Sequence, residues 1–326
     1  LGVLPNLLPD AYLGILIATV LTAVGGGLIE VVVSPMIEAM PTQNKGRQMA
    51  ILHSFYCWGE CAVVLFSTLF FALAGIDAWF ILPFAWAIVP FSNIFLLCGI
   101  PLYELPKEAK DGSTVVGMLK SPLFWVMAAM MVASGASELC MCTWASIFAE
   151  VGLGVDKSVG DLLGPFLFAL LMGIGRVVSA KLTTRVPVEK CLFVSALGCT
   201  ACYFSTVFFG SAIISLLSCA ASGFFVALMW PGTYSLGASR ISCGGTKMFA
   251  LFALGGDIGC SLGSYVTGRV SDLVNSGKWS FFTSFLPAAG TGIRAGILVS
   301  SLFPVLMIIG SLLVMRTGKK RQRMSE

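Results

Sequence analysis

Residues 25–60 read GGGLIEVVVSPMIEAMPTQNKGRQMAILHSFYCWGE. Two long apolar runs flank a short basic turn, a pattern that predicts the end of one membrane-spanning helix and the start of the next. Glu30, His53 and Glu60 lie inside these apolar surroundings. An ionised carboxylate in hydrocarbon is costly, so acids at such positions usually face a protein-lined cavity and mark a pathway for ions, protons or polar solutes.

The composition of the chain excludes an ordinary soluble domain. Hydrophobic residues make up 57% of the 326 positions and charged residues only 11%, and the mean hydropathy is +0.92, whereas a soluble domain carries about 25% charged residues. The fold class expected is an all-α polytopic membrane protein. The eleven cysteines have no repeated spacing, so neither a disulfide framework nor a metal site is expected, and Cys140 and Cys142 are expected to be small buried side chains.

Nine segments are long and apolar enough to cross a bilayer, which requires about 20 residues. The segment from 102 to 121 concentrates charge, Pro and Gly, as a connector between two halves would. The predicted spans are 12–38, 48–73, 78–101, 122–149, 161–182, 190–210, 212–237, 247–272 and 293–315.

The distribution of Lys and Arg predicts the orientation. Most of them fall in loops on one side of the membrane and in the tail from Arg316 to Arg323, whereas the other side holds Lys157, Arg269, Lys278 and Arg294. Basic residues favour the cytoplasmic side. We therefore expect a multi-pass protein of the plasma membrane with a cytoplasmic carboxyl terminus, and the basic tail would lie at the anionic inner leaflet.

An internal repeat indicates a duplicated architecture. The segment GRQMAILHSFYCWGEC (46–61) has a counterpart in GTKMFALFALGGDIGC (245–260), and a Gly-containing helix broken by Pro35 or Pro231 precedes each. Many secondary transporters are built from such repeats. If the second half begins near residue 122, its first-half counterpart would begin before Leu1, so we expect twelve spans in two sets of six, of which this chain carries helices four to twelve.

The chain resembles the major facilitator superfamily, and within it the fucose permease-like sugar and proton symporters. Three motifs carry the resemblance: Gly27, Glu30, Ser34 and Pro35; Gly175 and Arg176 followed by Lys181; and Gly-Ala-Ser-Glu at 135–138. The resemblance implies a partial amino-terminal bundle over 1–101, a cytoplasmic loop over 102–121 and a six-helix carboxyl-terminal bundle over 122–326. It also implies that Glu30 helps to couple proton movement to sugar binding and that Glu138 contacts the substrate.

The helix after the turn presents His53, Tyr56 and Glu60 on one face, at i, i+3 and i+7. His53 and Glu60 join Glu30 as candidate proton-coupling residues, and Tyr56 as a candidate substrate contact. His53 can titrate near neutral pH, but a lone histidine near a helix end is equally typical of a hydrogen-bonded structural residue. The resembling sugar permeases tend to carry an amide pair where this chain has His53 and Tyr56, so the sugar and the coupling ion both stay open.

Further candidates lie along the chain. Each also has a structural reading: tryptophans pack or mark the interface, and polar side chains bridge helices. Arg176 and Lys181 are predicted to form a cytoplasmic gate. The remaining candidate substrate contacts are Asn93, Trp144, Trp230, Tyr234 and Asp257.

These residues predict a proton-coupled secondary transporter that moves a small polar solute, such as a sugar or related metabolite, by alternating access. An exporter of drugs or metabolites that works by antiport is the alternative. An intramembrane enzyme is disfavoured because LGGD at 254–257 lacks the first glycine of the aspartyl protease signature, and a passive channel would not need carboxylates in both halves. No catalytic residue, cofactor or nucleic-acid partner is expected; the partners are the solute, protons and the bilayer, and the protein is expected to be a monomer.

Overall fold

The computed structural model describes residues 1–42, 45–99, 115–241 and 245–323. In these ranges the regular secondary structure is entirely helical. Nine helical stretches there are long and apolar enough to cross a membrane, from Ala11–Ile37 to Thr291–Thr317. The predicted all-α polytopic class and the nine spans are therefore confirmed. Most of the predicted loop 102–121, with Lys107 and Lys110, lies outside the described residues.

The described ranges contain fourteen α-helices and four short 3₁₀- or π-helical segments. The short segments are 3₁₀-helical at Ile76–Ile81 and Ser280–Ser284, and π-helical at Phe148–Gly152 and Leu162–Phe166. The α-helices are α1 (Leu4–Leu7), α2 (Ala11–Ala39), α3 (Lys45–Ala74), α4 (Leu82–Leu97), α5 (Val115–Leu119), α6 (Pro122–Ile147), α7 (Lys157–Asp161), α8 (Leu167–Leu182), α9 (Val188–Phe208), α10 (Ala212–Val226), α11 (Met229–Arg240), α12 (Gly245–Asn275), α13 (Thr291–Ser300) and α14 (Leu302–Arg323).

The chain forms two compact units. Unit 1 comprises residues 1–41 and 65–107, and unit 2 comprises residues 42–64 and 108–326. In unit 1, Asp10 caps α2 by accepting hydrogen bonds from the backbone N–H groups of Tyr12 and Leu13. Gly14 lets α2 approach the backbone of α1, since a Cβ there would lie 2.7 Å from the Leu4 carbonyl oxygen.

Unit 2 is organised around the packing of α6 against α12. A Cβ at Gly259 would lie 2.1 Å from the Val132 carbonyl oxygen, and a Cβ at Gly263 would lie 2.5 Å from that of Ala136. Gly135 meets the backbone of Gly256 in the same way. Small residues at such crossings let two membrane helices pack backbone to backbone, and this contact fixes the position of Glu138, which follows on α6.

The seventh predicted span is interrupted where the sequence carries Pro231. The structure ends α10 at Val226 and begins α11 at Met229. Proline has no backbone N–H to donate to the carbonyl four residues earlier, and that carbonyl belongs to Ala227. The break therefore leaves a backbone acceptor free for another donor inside unit 2.

Candidate functional site

A buried ion pair joins α6 and α8 in unit 2. Arg176 Nη2 lies 3.3 Å from Glu138 Oε2, and the two residues are only 2% and 8% exposed. Tyr203 fixes the neighbouring turn of α6, because its hydroxyl donates to the Ser137 carbonyl at 2.8 Å. A buried charge is tolerated when it is paired and hydrogen-bonded. The ion pair therefore offsets much of the free-energy cost of desolvating the two charged side chains.

Arg176 also holds two backbone carbonyls. Its Nε donates to the Ala227 carbonyl at 3.3 Å, which is the acceptor that Pro231 leaves without its usual donor. Its Nη1 donates to the His53 carbonyl of α3, and its guanidinium lies 5.6 Å from the centre of the Tyr56 ring. One side chain thus ties α8 to α3, to α6 and to the α10–α11 break.

Glu60 on α3 has a different partner. The Cys142 thiol of α6 donates to Glu60 Oε1 at 2.7 Å. The second carboxylate oxygen, Oε2, is buried and has no hydrogen-bond partner in the described part of the chain. We call Glu60, Glu138, Cys142, Arg176 and His53 the polar cluster.

Aromatic side chains flank the polar cluster. The His53 ring stacks on Tyr234 of α11 with centroids 5.9 Å apart and planes at 19°, and Trp230 packs edge-on to Tyr234 at 6.3 Å. Three nearby polar atoms, His53 Nε2, Trp230 Nε1 and Ser134 Oγ, are buried without a hydrogen-bond partner among the described residues. Buried polar groups normally find partners, so these three atoms have hydrogen-bonding capacity that the described residues do not use.

The structure brings together seven of the residues singled out from the sequence, namely His53, Tyr56, Glu60, Glu138, Arg176, Trp230 and Tyr234. Trp144 lies elsewhere in unit 2: its indole N–H donates to the Ser264 carbonyl at 3.0 Å, and the residue lines a cavity of about 520 Å³ together with Asn275 and Thr291.

The remaining candidates lie apart from the polar cluster or in the other unit. Asp257 is exposed on α12, and Lys181 is exposed in the last turn of α8. Glu30 is half-buried on α2, and Asn93 is exposed on α4, both within unit 1. Their predicted roles stay predictions.

Sequence reasoning missed Cys142, which was expected to be a small buried side chain but is a hydrogen-bond donor to Glu60. A signal was present, because Ser134, Glu138 and Cys142 follow each other at intervals of four residues and so share one face of α6. It also missed Arg294, a fully buried arginine of α13. Nothing in the pattern around Arg294 distinguishes it from an ordinary loop-proximal basic residue.

No group of three or more His, Cys, Asp and Glu side chains is arranged to hold a metal ion within residues 1–42, 45–99, 115–241 and 245–323. The polar cluster itself offers acid–base and hydrogen-bonding groups: two carboxyl groups, a thiol, an imidazole and a guanidinium.

Comparisons with known proteins agree with this architecture. The chain is similar in fold to a crystal structure of the Major Facilitator Superfamily transporter FucP in the outward conformation, with a TM-score of 0.68 and 17% identity, covering 93% of this chain and 76% of that one. It is similarly related to a crystal structure of a single-residue variant of the E. coli fucose:proton symporter FucP, with a TM-score of 0.68 and 18% identity over 93% of this chain and 77% of that one. At these identities the likeness shows the fold.

No curated protein matched the chain. The sequence profile of the Major Facilitator Superfamily, however, matches residues 1–264, which is well over half of the chain. The chain belongs to the Major Facilitator Superfamily.

Proposed function

We propose that the protein is a secondary active transporter that moves a small polar solute, a sugar or related metabolite, by alternating access with proton coupling. Membership of the Major Facilitator Superfamily supports the transporter class. The choice of solute and coupling ion is an analogy with a fucose:proton symporter of similar fold.

The observation that carries the proposal is the polar cluster of unit 2. It holds two carboxyl groups and one guanidinium on helices apolar enough to span a membrane. Ionisable groups at membrane depth are expensive and typically mark a substrate, ion or proton pathway. A helix bundle that needed only to be stable would bury apolar side chains there, because replacing a buried ion pair with packed hydrophobic residues is often stabilising.

The proposed roles follow from chemistry and position. Arg176 would act as a gate, because breaking its bonds to Glu138 and to the His53 and Ala227 carbonyls would release α3, α6 and the α10–α11 break from α8. Glu138 and Tyr56 would contact the solute once the gate opens. Trp230 and Tyr234 would supply flat apolar faces with polar edges, which suit sugar rings.

We also propose the following assignments, which follow from the sequence. Glu30 would be the leading proton carrier of unit 1, and Lys181 would stand with Arg176 on the cytoplasmic side. The protein would lie in the plasma membrane as a monomer with its carboxyl terminus inside, consistent with the bias of basic residues.

The first experiment identifies the solute and then its driving force. A panel of labelled and unlabelled monosaccharides, beginning with L-fucose, is screened for thermal stabilisation of the purified protein, because a ligand that binds only the folded state raises its stability. The stabilising sugar is then offered to proteoliposomes with and without an inward proton gradient. Accumulation that collapses with the gradient supports symport; accumulation that is unchanged contradicts it, and uptake driven by the opposite gradient replaces symport with antiport.

The role of Glu30 is tested by the isosteric substitution Glu30→Gln. A glutamine cannot carry the coupled proton, so gradient-driven accumulation should be lost while exchange of labelled for unlabelled solute is spared. The matched control is Asp77→Asn, which removes an exposed acid in the same unit. Normal accumulation by the Glu30→Gln protein would remove Glu30 from this role.

A further inference from the structure

The polar cluster has more acid than base. Arg176 bonds to Glu138, to two backbone carbonyls and, at 3.6 Å, to the Met172 sulfur. No hydrogen bond from Arg176 to Glu60 is present in the described part of unit 2. The single cation of the cluster is therefore committed to Glu138, and Glu60 has a thiol as its partner instead of a cation.

A thiol is a weak compensation for a carboxylate charge. The S–H group is a weak hydrogen-bond donor, and Glu60 Oε2 receives no hydrogen bond from the described residues although it is buried. A buried carboxylate without a paired cation normally takes up a proton, because neutralisation avoids the cost of desolvating the charge. The thiol occupies Oε1, so Oε2 is the atom left to accept that proton.

We propose that Glu60 and Cys142 form a proton-binding site of the transporter, in which the coupled proton sits on Glu60 Oε2 while the Cys142 thiol holds Oε1. The proposal rests on the proposed transport function and places a proton in unit 2, separate from the one assigned to Glu30. The proton arrives from water on one side of the membrane and leaves to water on the other. The thiol proton stays on sulfur throughout.

The site also connects the proton to the solute. A protonated Oε2–H is a hydrogen-bond donor without an acceptor among the described residues, and a hydroxyl or carbonyl oxygen of a solute would complete it. An ionised Glu60 offers only acceptors. Solute binding therefore favours the protonated form, which is the coupling that a symporter requires.

Several titratable groups border this site and enter its electrostatics. Glu138 and Arg176 act on Glu60 from α6 and α8, and they carry opposite charges that offset each other. On α3 itself, Tyr56, Cys57 and Cys61 are neighbours of Glu60, and the Cys61 thiol is directed to the Phe166 carbonyl at 3.8 Å. Cys219 of α10 lies near Cys142. Apart from Arg176, none of the titratable groups named here is a cation.

The test is infrared difference spectroscopy on the purified full chain in liposomes, between neutral and alkaline pH. A protonated carboxylic acid has a carbonyl stretching band that a carboxylate and an amide lack. We expect the unmodified protein to have this band at neutral pH and to lose it at alkaline pH. Glu60→Gln should lack the band at both pH values. The control Glu150→Gln removes an exposed acid beyond the end of α6 and should leave the spectrum unchanged.

Two cysteine variants test the thiol. Cys142→Ala should keep the band but shift it to higher frequency, because the hydrogen bond to the carbonyl oxygen Oε1 is lost, and Cys142→Ser should shift it to lower frequency, because a hydroxyl is a stronger donor. An unshifted band in Cys142→Ala overturns the role of the thiol. A difference band that is unchanged in Glu60→Gln overturns the proton site. If Glu60→Gln does not fold, the opposite band shifts of Cys142→Ala and Cys142→Ser test the same assignment.

The spectroscopic readout requires no solute, so it is separable from the transport proposal. A band assigned to Glu60 together with no gradient-dependent uptake of any sugar would contradict symport and leave the protonated carboxyl group standing. Gradient-dependent uptake that is identical in the unmodified and Glu60→Gln proteins would leave symport standing and remove Glu60 from the coupling.

Discussion

Two buried arginines of unit 2 have nearly the same exposure and opposite surroundings. Arg176 is 2% exposed and pairs with a carboxylate, Glu138. Arg294 is 0% exposed and binds backbone carbonyls: its Nη1 donates to Thr206 at 2.8 Å, to Val207 at 2.7 Å and to Phe209 at 3.0 Å.

The carbonyls around Arg294 belong to the end of α9, where the last helical C=O groups have no partner within the helix. The negative end of the helix dipole also favours a cation at this point. The ring of Phe148 lies 5.2 Å from the guanidinium, and Arg294 Nε donates to the Ala289 carbonyl at 2.9 Å. Arg294 is thus held by many fixed backbone acceptors at once.

The two arginines differ in whether their bonding partners can change during a transport cycle. The acid partner of Arg176 can be protonated or can turn to a solute, so its ion pair can be broken and remade during a cycle. The partners of Arg294 are main-chain carbonyls at the end of α9 and at Ala289, together with the Ser215 hydroxyl of α10 at 3.4 Å, and none of these groups can gain or lose a charge. We infer that Arg294 stabilises the bundle permanently and that Arg176 belongs to a part that changes.

Removing Arg294 should have the largest effect. In Arg294→Met the terminal carbonyls of α9 lose a buried donor, and each unsatisfied buried group costs about 1–3 kcal/mol. We expect most of the protein to be lost from the monodisperse peak in size-exclusion chromatography, and the remainder to melt at a much lower temperature. Arg294→Lys should recover only part of this stability, because an ammonium cannot reach all the acceptors of a planar guanidinium. An unchanged melting temperature in Arg294→Met would erase the distinction between the two arginines.

Removing Arg176 alone should have the next largest effect. Arg176→Met leaves Glu138 buried without its cation, and breaking a buried pair from one side typically costs about 3–5 kcal/mol. The melting temperature of the purified protein should therefore fall clearly. A fall as large as that of Arg294→Met, with the same loss of monodisperse protein, would indicate that Arg176 is also a permanent support.

The double variant Arg176→Met with Glu138→Gln sharpens the comparison. Removing both charges avoids the uncompensated carboxylate, so we expect the melting temperature to recover most of the loss seen in Arg176→Met. Gradient-driven uptake should stay absent, because the proposed gate is gone. Arg294 has no single partner whose substitution could rescue it in this way, and failure of the double variant to recover stability would contradict the pairing.

The smallest effect is expected at the break between α10 and α11. Pro231→Ala restores a backbone N–H that can compete with Arg176 Nε for the Ala227 carbonyl, so the contribution of Arg176 to stability should decrease by about 1 kcal/mol, the usual worth of a hydrogen bond. Free energies of unfolding of the unmodified protein, Pro231→Ala, Arg176→Met and the double variant give the coupling energy. Additive effects would show that the proline does not supply the acceptor.

The span boundaries followed from the sequence because they depend on local chemistry. A run of about 20 apolar residues must be helical in a bilayer, where every backbone group needs an internal partner. The interruption near Pro231 has a local cause, since proline removes one specific donor, but the expected break at Pro35 is wrong, because α2 continues as a helix through that residue. The shared face of Ser134, Glu138 and Cys142 could also have been read from their spacing on α6.

The partners in the site were decided only by the tertiary structure. Arg176 and Glu138 are 38 residues apart, Cys142 and Glu60 are 82 apart, and Arg294 and Thr206 are 88 apart. Helical periodicity shows which face of a helix a side chain occupies, but the neighbour on that face depends on how the helices cross. The close backbone approaches at Gly135 and Gly259 set the crossing of α6 with α12, and α8 meets α3 at Gly173, where a Cβ would lie 3.3 Å from the Cys57 Cβ. The sequence by itself determined that acids and an arginine lie within membrane-spanning helices, and only the packing of α3, α6 and α8 decided that one acid meets the arginine and the other a thiol.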